Sequence, residues 1–304
     1  MLVVFLYLSA CLLPLAGLFF VLTLPTFMFL ISVFNGWAKT MNAFFTAIVA
    51  IFAILSFTHT FFPLLVPAAA GLSGMVMARS LKLNPSIEAL VLFPSLVCLA
   101  AITAFFVLIG IELEMNIIEV VKKYVSEAVD LNIGFYARLP LKPEEIKAIQ
   151  DSKDGIIDFL ARLFPAICTI SVLSVIWLNV LLIRRILGKK TVKPYVFSGL
   201  SQWKTPPWLV WVFIAAAAMI MLSHTYLRFA GINIFLVVSF LYLLQGLAIV
   251  SFFFQSKNIS MFFRVIIYFL IAVQQLLMVA IALVGLFDLW VDFRKYFRKD
   301  QATG

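Results

Sequence analysis

Asp288 and Asp292 stand four residues apart in the stretch GLFDLWVDFRKYFRKD, Gly285 to Asp300. That spacing sets two carboxylates on one face of a helix. A pair so placed could do acid–base chemistry. Beside Trp290 and the cations that follow, it can instead mark the edge of a membrane, with Asp292 paired to Lys295 and anchoring the helix end. Asp288 sits deeper and keeps a second reading, as a buried partner or ligand group. Four amides, Asn179, Gln245, Gln274 and Gln275, lie inside long apolar runs. They either bond between helices or line a pocket for a small polar molecule. With no buried charged pair beside them, they suit a neutral or weakly charged ligand better than a proton relay. His224, with Arg228 nearby, and His59 could rim such a pocket, or could be ordinary helix-end groups. The candidate ligand-binding set is therefore Gln245, Gln274, Gln275, Asn179, His224 and Asp288, with no catalytic residue and no metal ligand.

Other chemistries fail on spacing. Gly71-Leu72-Ser73-Gly74 resembles the nucleophile motif of rhomboid intramembrane proteases, and His224 is the candidate base. A base must lie within hydrogen-bond reach of its serine. The charge pattern places Ser73 near one end of its span and His224 near the opposite membrane face, and Leu227 stands where the rhomboid pattern has glycine. The small residues Ala68–Gly74 read as a close-packing surface. Gly188-Lys189 lacks the earlier glycine of a phosphate loop, Ile183 standing there, so no nucleotide cofactor is expected. Two histidines with no acidic cluster around them make no metal site. Cys11, Cys98 and Cys168 lie in separate apolar runs without CxxC spacing and read as small buried hydrophobes.

The elements that must position these residues follow from composition. Of 304 residues 64% are hydrophobic and 12% charged, against about 25% charged in a soluble domain. The chain reads as an all-α, polytopic transmembrane helical bundle. Its apolar runs are near 20 residues and continuous, unlike the ~10-residue alternating segments of a barrel. They fall at 2–22, 25–37, 41–58, 61–79, 87–111, 161–186, 207–226, 231–256 and 262–290, which suggests eight to ten membrane segments. The run at 25–37 is short for a span and reads as re-entrant or tilted after Pro25. The N-terminal run lacks a basic flank and a cleavage pattern, so it reads as a retained span. Asn84-Pro85 and Thr205-Pro206 each suggest an N-cap followed by proline, and Glu88 a carboxylate in a first helical turn. The organisation expected is a transmembrane half over 1–111, an extracytoplasmic amphipathic loop over 112–162, a second half over 163–293 and a basic tail over 294–304.

The net charge of +9 is read as loop charge that orients a membrane protein, not as a nucleic-acid footprint. Lys39, Arg79, Lys82 and the stretch from Arg184 to Lys204 fall on one face, joined by Lys257, and that face is expected to be cytoplasmic. The loop Glu112–Arg162 falls opposite and carries ten of the fourteen carboxylates. It suggests two amphipathic helices, one with a stripe at Ile117, Val121, Tyr124 and Ala128, one beginning at Pro143-Glu144-Glu145. Nine simple crossings would put Arg294, Lys295, Arg298 and Lys299 on the wrong face. Either 262–290 bends back near Gln274-Gln275, or it tilts strongly, or the 25–37 segment breaks the alternation. Trp37, Trp203, Trp208 and Trp211 read as interfacial anchors.

The chain resembles the YybS-like family of bacterial integral membrane proteins. The resemblance rests on LLPLAGLFFVLTLPTFMFLISVFNG at Leu12–Gly36, FLYLLQGLAIVSFFF at Phe240–Phe254 and GLFDLWVDFRK at Gly285–Lys295. It implies a bundle with an S-component-like core and extra helices, akin to the substrate-binding subunits of energy-coupling-factor transporters and to MreD. The function expected is non-enzymatic, multi-pass and in the bacterial cytoplasmic membrane: binding of a small polar molecule within the bundle, in the manner of a transporter subunit. The alternatives are an MreD-type scaffold holding a protein partner through Arg184–Lys204 and, third, an intramembrane protease. The partners expected are the lipid bilayer, a small molecule and a membrane or cytoplasmic protein, with no nucleic acid.

Overall fold

A polypeptide surrounded by hydrocarbon has no solvent partner for its peptide groups, which forces long segments into helices. The computed structural model describes residues 2–12, 14–55, 62–83, 86–136, 149–187 and 199–295. Every regular element among them is helical: eleven α-helices and one 3-10 turn. Six helices are long and apolar enough to cross a membrane, or seven if one bent pair counts as a single span. The molecule is a polytopic helical bundle. Its chain forms two compact units, Met1–Gly188 and Lys189–Gly304. His59, the helix read from Pro143-Glu144-Glu145, the cations Lys189–Lys193 and the tail from residue 296 lie outside the described residues.

The first unit holds α1 (Leu2–Leu12), α2 (Pro14–Asn35), α3 (Trp37–Leu55), α4 (Phe62–Leu83), α5 (Ile87–Glu112), α6 (Ile117–Tyr136) and α7 (Lys153–Leu187). The first apolar run is not one span. Pro14 opens a new helix, leaving α1 with 11 residues, about 16 Å at 1.5 Å each. Pro25 lies inside α2, so 25–37 is largely that helix's second half rather than a re-entrant segment. Tyr7, Leu24, Met28, Ile51 and Met75 fill the core between α1, α2, α3 and α4. Gly74 permits a close approach: a Cβ there would sit 2.1 Å from the carbonyl oxygen of Pro25, so α4 meets α2 backbone to backbone. Asn84 and Pro85 lie outside the described residues; α5 starts two residues later than their signal implied, because Ser86 accepts from the N–H of Ala89 at 3.1 Å and caps it. Glu88 lies in its first turn, where a helix N-terminus favours a carboxylate. Helix α6 runs antiparallel to the start of α7, joined by the Lys122–Asp158 and Lys153–Asp130 ion pairs. Its buried seam is Val120 and Val121, whereas Ile117, Tyr124 and Ala128 of the expected stripe are exposed.

The second unit holds a 3-10 turn (Gly199–Gln202), α8 (Leu209–Ile220), α9 (Thr225–Ser256), α10 (Met261–Val273) and α11 (Gln275–Val291). Helix α8 begins later than the Thr205-Pro206 signal, because Thr205 is engaged elsewhere, as described below. The last apolar run breaks at Gln274, where α10 and α11 bend by 102°, the geometry of a broken span or a re-entrant loop rather than of one straight tilted helix. Helices α9 and α11 lie antiparallel and nearly touch. A Cβ on Gly246 would meet the Ile281 carbonyl oxygen at 2.0 Å, and one on Gly285 the Tyr242 carbonyl oxygen at 2.0 Å.

Candidate functional site

The second unit encloses a knot of charge. Asp288, on the α9-facing side of α11, is 0% exposed, and Arg294, counted above with a basic tail, is 3% exposed. Nη1 of Arg294 donates to Oδ2 of Asp288 at 2.6 Å. The rest of the guanidinium donates to backbone carbonyls, Nε to Ser201 at 3.1 Å and Nη2 to Trp203 at 2.9 Å. The N–H of Phe293 donates to Oδ1 of Asp288 at 3.0 Å, and Nε2 of Gln245 to its Oδ2 at 3.1 Å. Gln245, itself 0% exposed, turns its Oε1 to Thr205, accepting from the N–H at 3.0 Å and from Oγ1 at 2.6 Å. Lys204 bonds Asp292 at 2.8 Å and lies 3.8 Å from Asp288. Asp292 therefore reaches Lys204, not the expected Lys295, because α11 ends there with Asp292 in the left-handed region at φ 47.

Burying a carboxylate is tolerable only with its charge matched and its lone pairs filled. Here two aspartates face one arginine and one lysine, and Asp288 accepts from three donors. Such a carboxylate is charge-matched and fully engaged. The knot fastens the 201–205 segment to α9 and α11, and engages both ends of the Gln245 amide with protein partners.

Asn179 does similar work in the first unit. Its Oδ1 accepts from Thr26, at 3.0 Å from the N–H and 2.6 Å from Oγ1. Its Nδ2 donates to the carbonyls of Leu22 at 2.9 Å and Val175 at 2.8 Å. The remaining candidates do not converge with Gln245. Gln274 and Gln275 are exposed at the bend between α10 and α11. They lie about 20 Å along α11 from Asp288, by its 1.5 Å rise. His224 is exposed at the N-cap of α9, its ring 5.8 Å from that of Tyr226. Ser73 is fully buried and donates to the Ala70 carbonyl at 2.7 Å, the ordinary back-bond of a packing serine.

Among the described residues a ligand-sized hollow lies in the first unit. It has a volume of about 410 Å³, among α2, α4, α5 and α7. Apart from Cys98 and Ser171, its walls are hydrocarbon: Val21, Pro25, Ala69, Ala101, Phe105, Val175 and their neighbours. Leu18, 61% exposed, and Val66, 50% exposed, stand at its mouth, on surface that meets lipid in a membrane.

A polytopic apolar bundle of this kind matches one family model over residues 1–289, described as a predicted membrane protein, DUF2232. The chain belongs to that family. No curated protein and no solved structure matches it. In this DUF2232 protein the knot was half legible from the sequence. Asp288 and Gln245 stand out as polar residues in apolar runs, whereas Arg294, counted with the basic tail, lies six residues from Asp288, a spacing that no helical-face rule pairs. Thr205 looks like a cap. The hollow carries no mark at all, since its lining is indistinguishable in type from any lipid-facing surface of a DUF2232 helix.

Proposed function

We propose that this DUF2232 protein is a non-enzymatic binding protein of the bacterial cytoplasmic membrane, taking the long apolar part of a lipid-like molecule into its first unit. The carrying observation is the 410 Å³ hydrocarbon-lined hollow, a size within the about 300–1,000 Å³ of ligand pockets. The hollow is not sealed but opens on lipid-facing surface, so its filler enters from the side. Facing lipid, the filler is a chain. The small-polar-ligand expectation gives way, because Gln245 and Asn179 direct their amides at protein partners. The S-component-like and MreD-like kinship implied by the YybS-like motifs belongs to the same proposal. It agrees with a membrane subunit that presents a ligand without transforming it.

Displacement of a fluorescent polyene fatty alcohol from protein in micelles tests the reading. Ala69→Trp and Ala101→Trp, which fill the hollow, are expected to abolish the signal, and Gln245→Leu to leave it unchanged. Unaltered binding in both tryptophan variants sinks the proposal. Binding of a vitamin or nucleoside that Gln245→Leu removes restores the polar-ligand reading.

A protein partner is a second reading, favoured by Arg184 and Arg185 in the last turn of α7, the latter exposed. Charge reversal at both is expected to release a co-purifying partner from a folded protein. Retention of that partner removes the reading.

A further inference from the structure

We infer that the hollow continues into a second chamber, and that the two form one track for an uncharged membrane lipid. Its chain fills the inner chamber, and its hydrogen-bond-donating end, a hydroxyl or an amide, lies in the outer. This rests on the binding reading above and names the ligand class.

The outer chamber also measures about 410 Å³ and lies between α5, α6 and α7. Ile102 and Phe106 line both chambers, so the two share a wall. Phe106 forms its aromatic part. Its ring packs edge-to-face on Phe164 at 5.0 Å, on Phe105 at 5.4 Å and on Tyr124 at 5.9 Å. Phe105 faces the inner chamber and Phe164 the outer. A chain passing from one to the other slides along this cluster.

Polarity changes along the track. The bilayer is as apolar as the inner chamber, so transfer of a tail out of lipid supplies little discrimination. Selectivity must come from the polar end. The outer chamber brings two hydroxyls, Thr103 and Thr169. Both donate to their own helices, Thr103 Oγ1 to Leu99 at 2.9 Å and Thr169 Oγ1 to Pro165 at 2.8 Å. Each proton is therefore occupied, while the oxygens keep lone pairs that can accept. An acceptor site matches a donor on the ligand. Among the described residues no cation lines the chamber. Lys122 and Arg162, adjacent in sequence to the lining residues Val121 and Ala161, are both held by Asp158. A phosphate or carboxylate would enter without a countercharge, which low-polarity surroundings penalise.

Two hexadecanol probes in phosphatidylcholine vesicles holding the full-length protein test this. One carries a diazirine at the chain end, the other beside the hydroxyl carbon. After photolysis and peptide mapping, the chain-end probe is expected on Ala69 and Val175, and the head-end probe on Phe164 and Cys168. Thr103→Val with Thr169→Val is expected to lose the head-end label while keeping the label from a hexadecane probe without the hydroxyl. Hexadecanol should compete with the probes and hexadecanoate should not. Inner labelling by the chain-end probe, with the head-end label scattered or at the mouth near Leu18, overturns the track and leaves the pocket reading standing. Equal competition by hexadecanoate overturns the ligand class. Chain-end labelling no stronger at Ala69 than at lipid-exposed Phe262 of α10 overturns both.

Discussion

Asn179 grips Thr26 across the pairing of α7 and α2, its Oδ1 taking both the backbone and the hydroxyl proton of that threonine. Its Nδ2 meanwhile reaches the carbonyl of Leu22. Leu22 and Thr26 are successive rungs of one helix ladder, so a single side-chain amide brackets a turn of α2 beside Pro25, which has no N–H to offer. The second unit repeats the grip, Gln245 holding Thr205 through the same two donors at the same distances.

Replacing Asn179 by leucine keeps the branched shape but removes these partners. Hydrogen bonds between membrane helices average only ~0.6 kcal/mol. This one leaves buried groups unmatched, and about 1–3 kcal/mol per orphaned group is the stronger effect. Asn179→Leu should lower stability by 1 kcal/mol or more, roughly, in a micelle unfolding titration, and Thr26→Val by less, since the backbone N–H stays bonded.

Removing one partner of a buried ion pair strands the other. Arg294→Met should destabilise the second unit by about 3–5 kcal/mol. Combining it with Asp288→Leu should recover part of the loss, because no uncompensated charge then remains. Unfolding of both single variants and the double variant gives the coupling directly. Additive losses would show that the pair is not the knot's core.

The outer pair should behave differently. Lys204 is 41% exposed when it meets Asp292 at 2.8 Å, and exposed pairs contribute about 0–1 kcal/mol. Lys204→Gln should shift the unfolding midpoint slightly, by less at high salt than at low.

At the α9–α11 contact a methyl group has no room. Gly246→Ala and Gly285→Ala should each cost at least the about 1–3 kcal/mol of overpacking, because the obstacle is backbone. Gly134→Ala in α6 meets nothing within 4 Å. Relief of the helical glycine penalty should stabilise by about 0.5–1 kcal/mol there. Thermal melting of the three variants decides the ordering.

The class of this molecule was legible because hydrophobicity over about 20 residues is a bulk property. Finer features depend on which side chain finds which partner. Asp288 and Asp292 share a helical face as their spacing requires, yet one is buried and one half out, because Arg294 and Lys204 arrive from segments whose placement no local pattern specifies. Thr205-Pro206 has the chemistry of a cap, and a tertiary partner, Gln245, claims the threonine instead. Prolines were the least readable punctuation: Pro14 begins a helix, while Pro25, Pro67, Pro94 and Pro165 sit inside helices that neighbouring elements hold together. The hollow was invisible for a simple reason. A cavity is where side chains are not.

Arg294 binds the carbonyls of Ser201 and Trp203, and so joins the first described residues of the second unit to its last. The path from the 3-10 turn through α8, α9, α10 and α11 returns to its own beginning and is buckled there. Tension applied between residues 199 and 295 would load that buckle first, in shear across several short polar bonds, and would reach the helices only after it gave way.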